Sequence, residues 1–337
     1  MAVANRVRPA RCVMGTCLNH NTRRFLRSGT MVVVPELPDI RVYLDAIRPR
    51  VVGTVLERIT IRSPFLLRTV VPTPESAEGR RVAGVSRLGK RVVIEFEGDL
   101  FLVVHLMVAG RFRWKKAGVA PAGKIDQAAF GFDAGTLVLT EASQKKRASL
   151  HIIQGRHDLL SLAPQGLDVL ASAPDEFAAA IRRENHTLKR TLTDPRIIDG
   201  IGNAYSDEIL HAARLSPVKL SQSLSSGEAE RLHSAAKETL ERWIARLRHE
   251  FGLDGGGPGR FPGPGDITAF RPDFAVHGRF GKPCPVCGSP VQRIVYAENE
   301  TNYCATCQTG GRLLADRSLS RLLKSDWPRT TEELESQ

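Results

Sequence analysis

Four cysteines near the end of the chain have types and spacing that point to metal chemistry. Cys284-Pro-Val-Cys287 and Cys304-Ala-Thr-Cys307 are two C-x2-C pairs with 16 residues between them. Each pair can grip an ion from a tight turn, and four thiolates close a tetrahedral structural site for one Zn2+. All four positions are filled by protein, so no coordination site stays open for a reactant and the metal shapes rather than reacts. Between the pairs, Val291–Tyr296 and Thr301–Tyr303 read as the strands of a hairpin with almost no core of its own. The metal must therefore supply its folding energy.

These cysteines end a chain of 337 residues, long enough for two domains and a small appended module. Lys and Arg outnumber Asp and Glu by 48 to 36, a net charge of +12 that favours a polyanionic partner. The apolar stretch Leu100–Gly110 is shorter than the roughly 18–20 residues of a membrane span and contains His105, so it reads as a buried strand. The remaining cysteines, Cys12 and Cys17, lie far from the other four, a distribution that suits a reducing compartment better than a disulfide framework.

Residues 1–34 hold six arginines, no Asp or Glu and no hydrophobic period, and the chain changes character at Pro35. Such a segment has the composition of an organellar transit peptide, and equally of non-coding sequence read through from an early start. From 35 to 165 the signals are mostly strands, with Val51–Arg62, Arg91–Phe96, Leu100–Val104, Thr136–Leu139 and Leu150–Ile153 as examples, after an opening helix at Ile40–Arg48. Short strands bounded by turns predict a β-sandwich. From about 174 to 252 the period turns helical, over Asp175–Asn185, Thr187–Thr193, Ala204–Ala213 and Ser226–Arg248. The glycine- and proline-rich stretch 255–265 is a loop.

Pro35-Glu-Leu-Pro-Asp-Ile40, Ser86-Arg-Leu-Gly-Lys90, Gly200-Ile-Gly-Asn203-Ala-Tyr205 and Tyr303-Cys-Ala-Thr-Cys-Gln308 occur in this order, and together the chain resembles the formamidopyrimidine-DNA glycosylase and endonuclease VIII family. The resemblance implies a multi-domain α+β protein. Its parts would be an N-terminal β-sandwich (35–165), a helical helix-two-turn-helix domain (170–252), a flexible loop (253–275) and a C-terminal zinc-finger β-hairpin (276–311), with a tail at 312–337. It implies damaged double-stranded DNA as partner, held in the cleft between the two domains by a monomer. It also implies base excision with AP-lyase activity and no redox cofactor, in the bacterial cytoplasm at the nucleoid, or in an organelle if residues 1–34 are a transit peptide.

By that resemblance Pro35 is the nucleophile, Glu36 the adjacent proton-transfer residue, and Lys90 a lysine on a hairpin turn that contacts phosphate and assists at the sugar. An N-terminal proline is a secondary amine with an α-amino pKa near about 8, able to attack C1′ and leave a Schiff base. As numbered, Pro35 is internal and its amide nitrogen is no nucleophile. Either a protease removes residues 1–34, or translation starts at Val34 through a GTG codon and the initiator is trimmed. Gly200-Ile-Gly-Asn203 opens a helix whose backbone N–H groups and Asn203 amide suit a phosphate. Lys189 matches a family position on the DNA or lesion side. Arg293, beside Tyr303, is a candidate for phosphate or the minor groove.

The sequence departs from the family pattern at three places. Asn299 or a neighbour stands where the finger's turn usually carries an arginine. Val108 or Met107, after His105-Leu, must fill the gap left by a flipped base. The 140–149 loop has no aromatic wedge but runs Lys145-Lys146-Arg147, which suits phosphate contact. Stretch 255–265 occupies the place of the family's lesion-covering loop, either a plain linker or a cover in which Arg260-Phe261 closes over a flipped base, and Leu313–Trp327 reads as an amphipathic segment. Two other classes remain: a non-catalytic damage binder using the same cleft, and a zinc-ribbon transcription or translation factor, which explains the cysteines alone.

Overall fold

The structure of the protein, a computed structural model, describes residues 34–268, 270–296, 299–315, 329–330 and 333. The extension before Val34, and all but the start of the amphipathic segment expected from Leu313, lie outside the described residues.

Two four-stranded antiparallel sheets make the N-terminal half. One has the order β1-β6-β7-β5, from Arg58–Ile61, Asp126–Phe132, Gly135–Glu141 and Gly110–Lys115. The other is β2-β3-β4-β8, from Val82–Leu88, Arg91–Phe96, Leu100–His105 and Ser149–Gln154. Alternation sets the layers. In β3, Val92, Ile94 and Phe96 face the core shared with Phe112, Phe130 and Leu139 of the other sheet. Val93 turns to the opposite face with Phe101 and Val103, where Leu159 of α2 (Arg156–Ser161) covers it.

The joint between the halves is α1 (Leu37–Val51). Pro38 sits in its first turn, where a missing N–H costs nothing. Ile40, Tyr43, Leu44 and Ile47 enter the sandwich core, Val42 and Ala46 pack on Leu247 and Phe251, and Leu37 enters the helical core. The segment expected as one strand from Val51 to Arg62 is divided: Val51 closes α1, fully buried, and only Arg58–Ile61 pairs. Burial of Val51 outweighs its β-branched preference.

The helical half holds α3 (Pro174–Arg182), α4 (Leu188–Thr193), α5 (Asn203–Ala212) and α6 (Ser226–Phe251). A capping box opens α6: Glu228 N donates to Ser225 Oγ at 3.2 Å and Ser225 N to Glu228 Oε2 at 2.9 Å. Gly252, at φ 65°, closes it. Beyond it, β9 (Gln292–Tyr296) and β10 (Asn299–Tyr303) form the expected hairpin, followed by α7 (Ala305–Thr309).

Stretch 255–265 does not hang free. Arg50 donates through Nη2 to the Gly259 carbonyl at 2.8 Å, and Phe261 packs against Tyr43 and Trp114, with ring centroids 6.0 and 6.3 Å away. Arg260 lies over Phe251 and pairs with Asp266 at 2.6 Å. The expected lesion-covering Arg260-Phe261 is thus committed to the sandwich edge, because Phe261 finds apolar cover there.

A buried ion pair ties this connection to α1: Arg271 Nη2 donates to Asp39 Oδ1 at 2.6 Å, with side chains 7% and 3% exposed. Arg271→Ala leaves Asp39 uncompensated in the interior, a loss of about 3–5 kcal/mol. The expected outcome is a urea unfolding midpoint far below that of the unsubstituted protein, whereas Arg246→Ala, breaking an exposed pair with Asp273, leaves the midpoint nearly unchanged.

Candidate active site and zinc centre

Glu36 lies between Pro35 and α1, only 2% exposed. Its carboxylate reaches across to the start of α5 and accepts backbone N–H groups from Gly202 (2.5 Å), Ala204 (2.9 Å) and Tyr205 (3.3 Å). Two further bonds fix the segment: Glu36 N donates to Asp39 Oδ2 at 2.9 Å, and Leu37 N to the Gly200 carbonyl at 2.9 Å. Position 202 has to be glycine, since a Cβ there would lie 2.6 Å from Glu36 Cδ. Burial pushes the Glu36 pKa above its usual 4.5, while the Lys90 charge and the Ala204 and Gly202 N–H groups oppose that rise.

Lys90 follows Gly89 (φ 65°) in the β2–β3 turn, and its Nζ donates to the Ile201 carbonyl at 2.7 Å. Burial lowers its pKa below 10.5, against the pull of Glu36, Asp199 and Asp39. Opposite Arg91 in the β3–β4 register stands His105, whose pKa falls to about 4 through burial and the nearby Arg91, Lys90 and His151. It is therefore neutral at pH 7. The residues singled out as Pro35, Glu36, Lys90 and Asn203 meet in one place, at the seam between sandwich and helices.

The other singled-out residues are placed differently. The helix N-terminus expected to offer backbone N–H groups to a phosphate has spent three of them on Glu36. Asn203 itself is half-buried, and its side-chain amide has no protein partner among the described residues. Lys189 lies next to Asn203 but points inward, donating to the Asn203 carbonyl at 2.6 Å and to the fully buried Asp207 at 2.5 Å. Arg147 is exposed: its backbone N–H binds the buried Glu141 at 2.8 Å, and its side chain has no partner among the described residues. Val108 is half-buried in a turn where Met107 adopts φ 51° and the Val108 carbonyl accepts from Arg111 at 3.4 Å. Arg293 stacks over Phe280 at 4.5 Å and pairs with Glu300 at 3.3 Å.

Cys284, Cys287, Cys304 and Cys307 converge, their Sγ atoms all within 4.8 Å of one another. Sulfurs around one tetrahedral Zn2+ stand roughly 3.8 Å apart at the usual bond length. The Cys284–Cys307 and Cys287–Cys304 separations of 3.9 and 3.3 Å fit that cage. The four cysteines form the site of one structural zinc ion. His211 on α5, which the sequence reading did not single out, brings Nε2 within 3.3 Å of Cys284 Sγ, an outer contact to a metal ligand. Asp207 and Arg87 were also missed. The only sequence signal for Asp207 is a pair of acids, Asp207-Glu208, on a helix otherwise read as a core element.

Family comparisons agree with this geometry. The formamidopyrimidine-DNA glycosylase N-terminal domain matches residues 34–148, the formamidopyrimidine-DNA glycosylase H2TH domain 162–251, and the zinc finger found in FPG and IleRS 281–310. The chain is 33% identical over 291 residues to a formamidopyrimidine-DNA glycosylase of Thermus thermophilus, covering 82% of this chain and 100% of the relative. It is 40% identical over 164 residues to an uncharacterized formamidopyrimidine-DNA glycosylase-like protein of Mycobacterium tuberculosis, covering 49% of this chain and 95% of that one. Among solved structures it is similar to MutM (Fpg) of Thermus thermophilus, with TM-score 0.65, 32% identity, and 81% and 98% of the two chains covered. It is also similar to Lactococcus lactis Fpg bound to DNA containing an AP site, with TM-score 0.68, 25% identity, and 81% and 99% covered.

Metal removal tests the centre. Cys304→Ser, which deletes a buried ligand, is expected to lower bound zinc, measured by elemental analysis, from one ion per chain to well below one. Loss of the finger's native circular dichroism signal should accompany it, since its core is confined to Val276, Val291 and the cysteines and a small cluster of Ile294, Tyr303, Ala305, Leu313 and Leu314.

Proposed function

The chain belongs to the formamidopyrimidine-DNA glycosylase family, and from that premise we propose that it is a bifunctional glycosylase and AP lyase of base excision repair, acting on oxidised bases through Pro35 as an N-terminal amine. One observation carries the reading: the Glu36 carboxylate, anchored by three N–H groups of the α5 start, sits under the influence of Lys90 and next to Pro35. On this reading a nucleophile, a proton carrier and a cation come together between the head of α1 and the β2–β3 turn.

In the proposed sequence Pro35 is freed of the preceding residues, so that its nitrogen carries a lone pair. That pair forms the N–C1′ bond while the glycosidic bond breaks, and the damaged base leaves with the bonding electrons and takes up a proton. The proline nitrogen then loses its proton and its electrons expel O4′, which takes up a proton as the sugar ring opens; the iminium so formed acidifies the C2′ proton, whose removal expels the 3′ phosphate, and loss of the C4′ proton then expels the 5′ phosphate. Glu36, whose pKa burial raises, carries protons at the sugar; Lys90 holds its charge beside the phosphate. Asn203, Lys189, Arg147 and Arg293 serve the DNA side, and Val108 the gap left by a flipped base. The zinc ion supports the finger and takes no part in the reaction. The protein acts as a monomer on double-stranded DNA in the cytoplasm.

Protein beginning at Pro35 is expected to be trapped on abasic duplex by borohydride, whereas protein with Val34 and its predecessors still attached gives no covalent complex. Equal trapping by both forms would sink the proline mechanism. DNA binding without a trap in either form would favour the non-catalytic damage binder. The pH profile offers a second check. Lys90 holds the Glu36 pKa down, and a positive neighbour also lowers that of a free Pro35 amine. Lys90→Met therefore moves the acid limb of the residual trapping rate to higher pH; an unmoved limb would separate Lys90 from the reacting groups.

A further inference from the structure

Arg87 has no part in the chemistry above, yet it spans the seam on which that chemistry depends. It precedes Leu88 at the end of β2, just before the Gly89-Lys90 turn, with its side chain 11% exposed. Nη1 donates to Asp199 Oδ2 at 2.8 Å and to the Gly89 carbonyl at 3.3 Å, and Nη2 donates to the Asp168 carboxylate. Arg87 comes from the sandwich, and both aspartates come from the helical half. Asp199, 8% exposed on its side chain, is itself fixed, its N–H bonded to the Leu167 carbonyl at 2.9 Å.

Directly after Asp199 runs the loop Gly200–Asn203, which offers the Ile201 carbonyl to Lys90 and the Gly202 N–H to Glu36. The turn is thus gripped at Arg87–Asp199 and again at Lys90–Ile201. Gly89 closes the fit, since a Cβ there would lie 2.8 Å from Pro164 Cγ and 3.1 Å from Asp199 Oδ1. A planar fork directs separate N–H groups at the two carboxylates and the carbonyl; an ammonium, a compact point charge on a shorter reach, does not reproduce that geometry. Without the guanidinium, Asp168 and Asp199 would face each other unpaired on the helical side, and the turn would lose this hold across the seam.

We propose that Arg87 is a positioning residue for Lys90, pinning the β2–β3 turn to Asp199 and Asp168 so that the ammonium stays at the Ile201 carbonyl beside Glu36. The inference rests on the glycosylase and lyase reading. It adds that the reaction requires a latch across the seam, with Asp199 as its central anchor. Asp199 also contributes charge: with Glu36 and Asp39 it supports the protonated state of Lys90 against burial, while Arg91 stands on the cationic side and His105 is neutral.

The test uses the full protein beginning at Pro35, with single-turnover cleavage of abasic duplex, borohydride trapping and duplex affinity by anisotropy. Arg87→Ala is expected to slow the single-turnover step by about tenfold or more, as displacement of a positioned group does, with duplex affinity almost unchanged. Arg87→Lys should recover only part of the loss. Asp199→Asn, nearly isosteric and so a safeguard should Arg87→Ala fail to fold, should slow the same step. It should also move the alkaline limb to lower pH, because Lys90 loses a supporting anion. An unchanged rate in folded Arg87→Ala, full rescue by Lys, or an unmoved alkaline limb in Asp199→Asn would overturn the proposal. No trap with the unsubstituted protein would count against the lyase reading itself, and a trap with unaltered variants against Arg87 alone.

Discussion

The buried carboxylate of Glu36 at the head of α5 is the contact on which the rest of the arrangement hangs. A helix start carries unpaired N–H groups and partial positive charge, and an anion there is stabilised. In this protein the anion is supplied from 166 residues upstream, by a side chain that would be costly to bury without those N–H groups. The contact dictates local sequence on both sides. Gly202 leaves room for the carboxylate, and Gly200, at φ 84°, turns the chain so that its carbonyl receives Leu37 N. Pro35 is held wherever Glu36 is held, and Lys90 is drawn to the same point by charge and by the Ile201 carbonyl.

The other end of α5 carries the zinc module. Glu208 accepts N–H groups of Ala275, Val276 and His277, at 2.7 to 2.9 Å. Asp207 takes His277 Nδ1 at 2.8 Å and the Asn302 N–H at 3.0 Å. His211 touches Cys284, and Gln308 of α7 donates to the Leu215 carbonyl at 2.9 Å. One ten-residue helix therefore positions the Glu36 carboxylate at its start and the zinc finger along its length. The finger has little core of its own, so these buried polar contacts set its orientation relative to the seam, while the metal sets its internal shape.

Much of this fold was legible in the sequence, and the failures have physical causes. Strand β3 was bounded correctly because its alternation and β-branched residues agree with its burial on both faces. Strand β6, Asp126-Gln-Ala-Ala-Phe-Gly-Phe132, carries little β propensity and is held by pairing with β1 and β7. No local signal marks it. Zinc ligands were legible because both partners of each knuckle are three residues apart. The Glu36–α5 contact, the Arg87 latch and the Lys189–Asp207 pair join residues distant in the chain, where spacing carries no information. Spacing could not choose between a lesion cover and a plain linker for Arg260-Phe261 for a related reason: the apolar wall that packs Phe261 lies far off in the chain.

The fate of the expected DNA contacts turns on what each cation must give up. Arg293 is 40% exposed on its side chain, and its pair with Glu300 is of the kind worth about 0–1 kcal/mol. A phosphate can take it over at little cost. Lys189 is 13% exposed and holds Asp207, which is fully buried; withdrawing it would leave a carboxylate in the interior supported by His277 and by the backbone and side-chain N–H groups of Asn302, at a cost of several kcal/mol. On the proposed reading, Lys189 therefore acts on DNA through the Asn203 carbonyl it fixes rather than by direct contact. On that reading affinity falls to side chains with no partner among the described residues, Arg147 and the Asn203 amide, and to Arg293 by exchange. With its backbone donors given to Glu36, the α5 start would, on the same reading, shape the reacting end of the protein and leave the grip on phosphate to side chains.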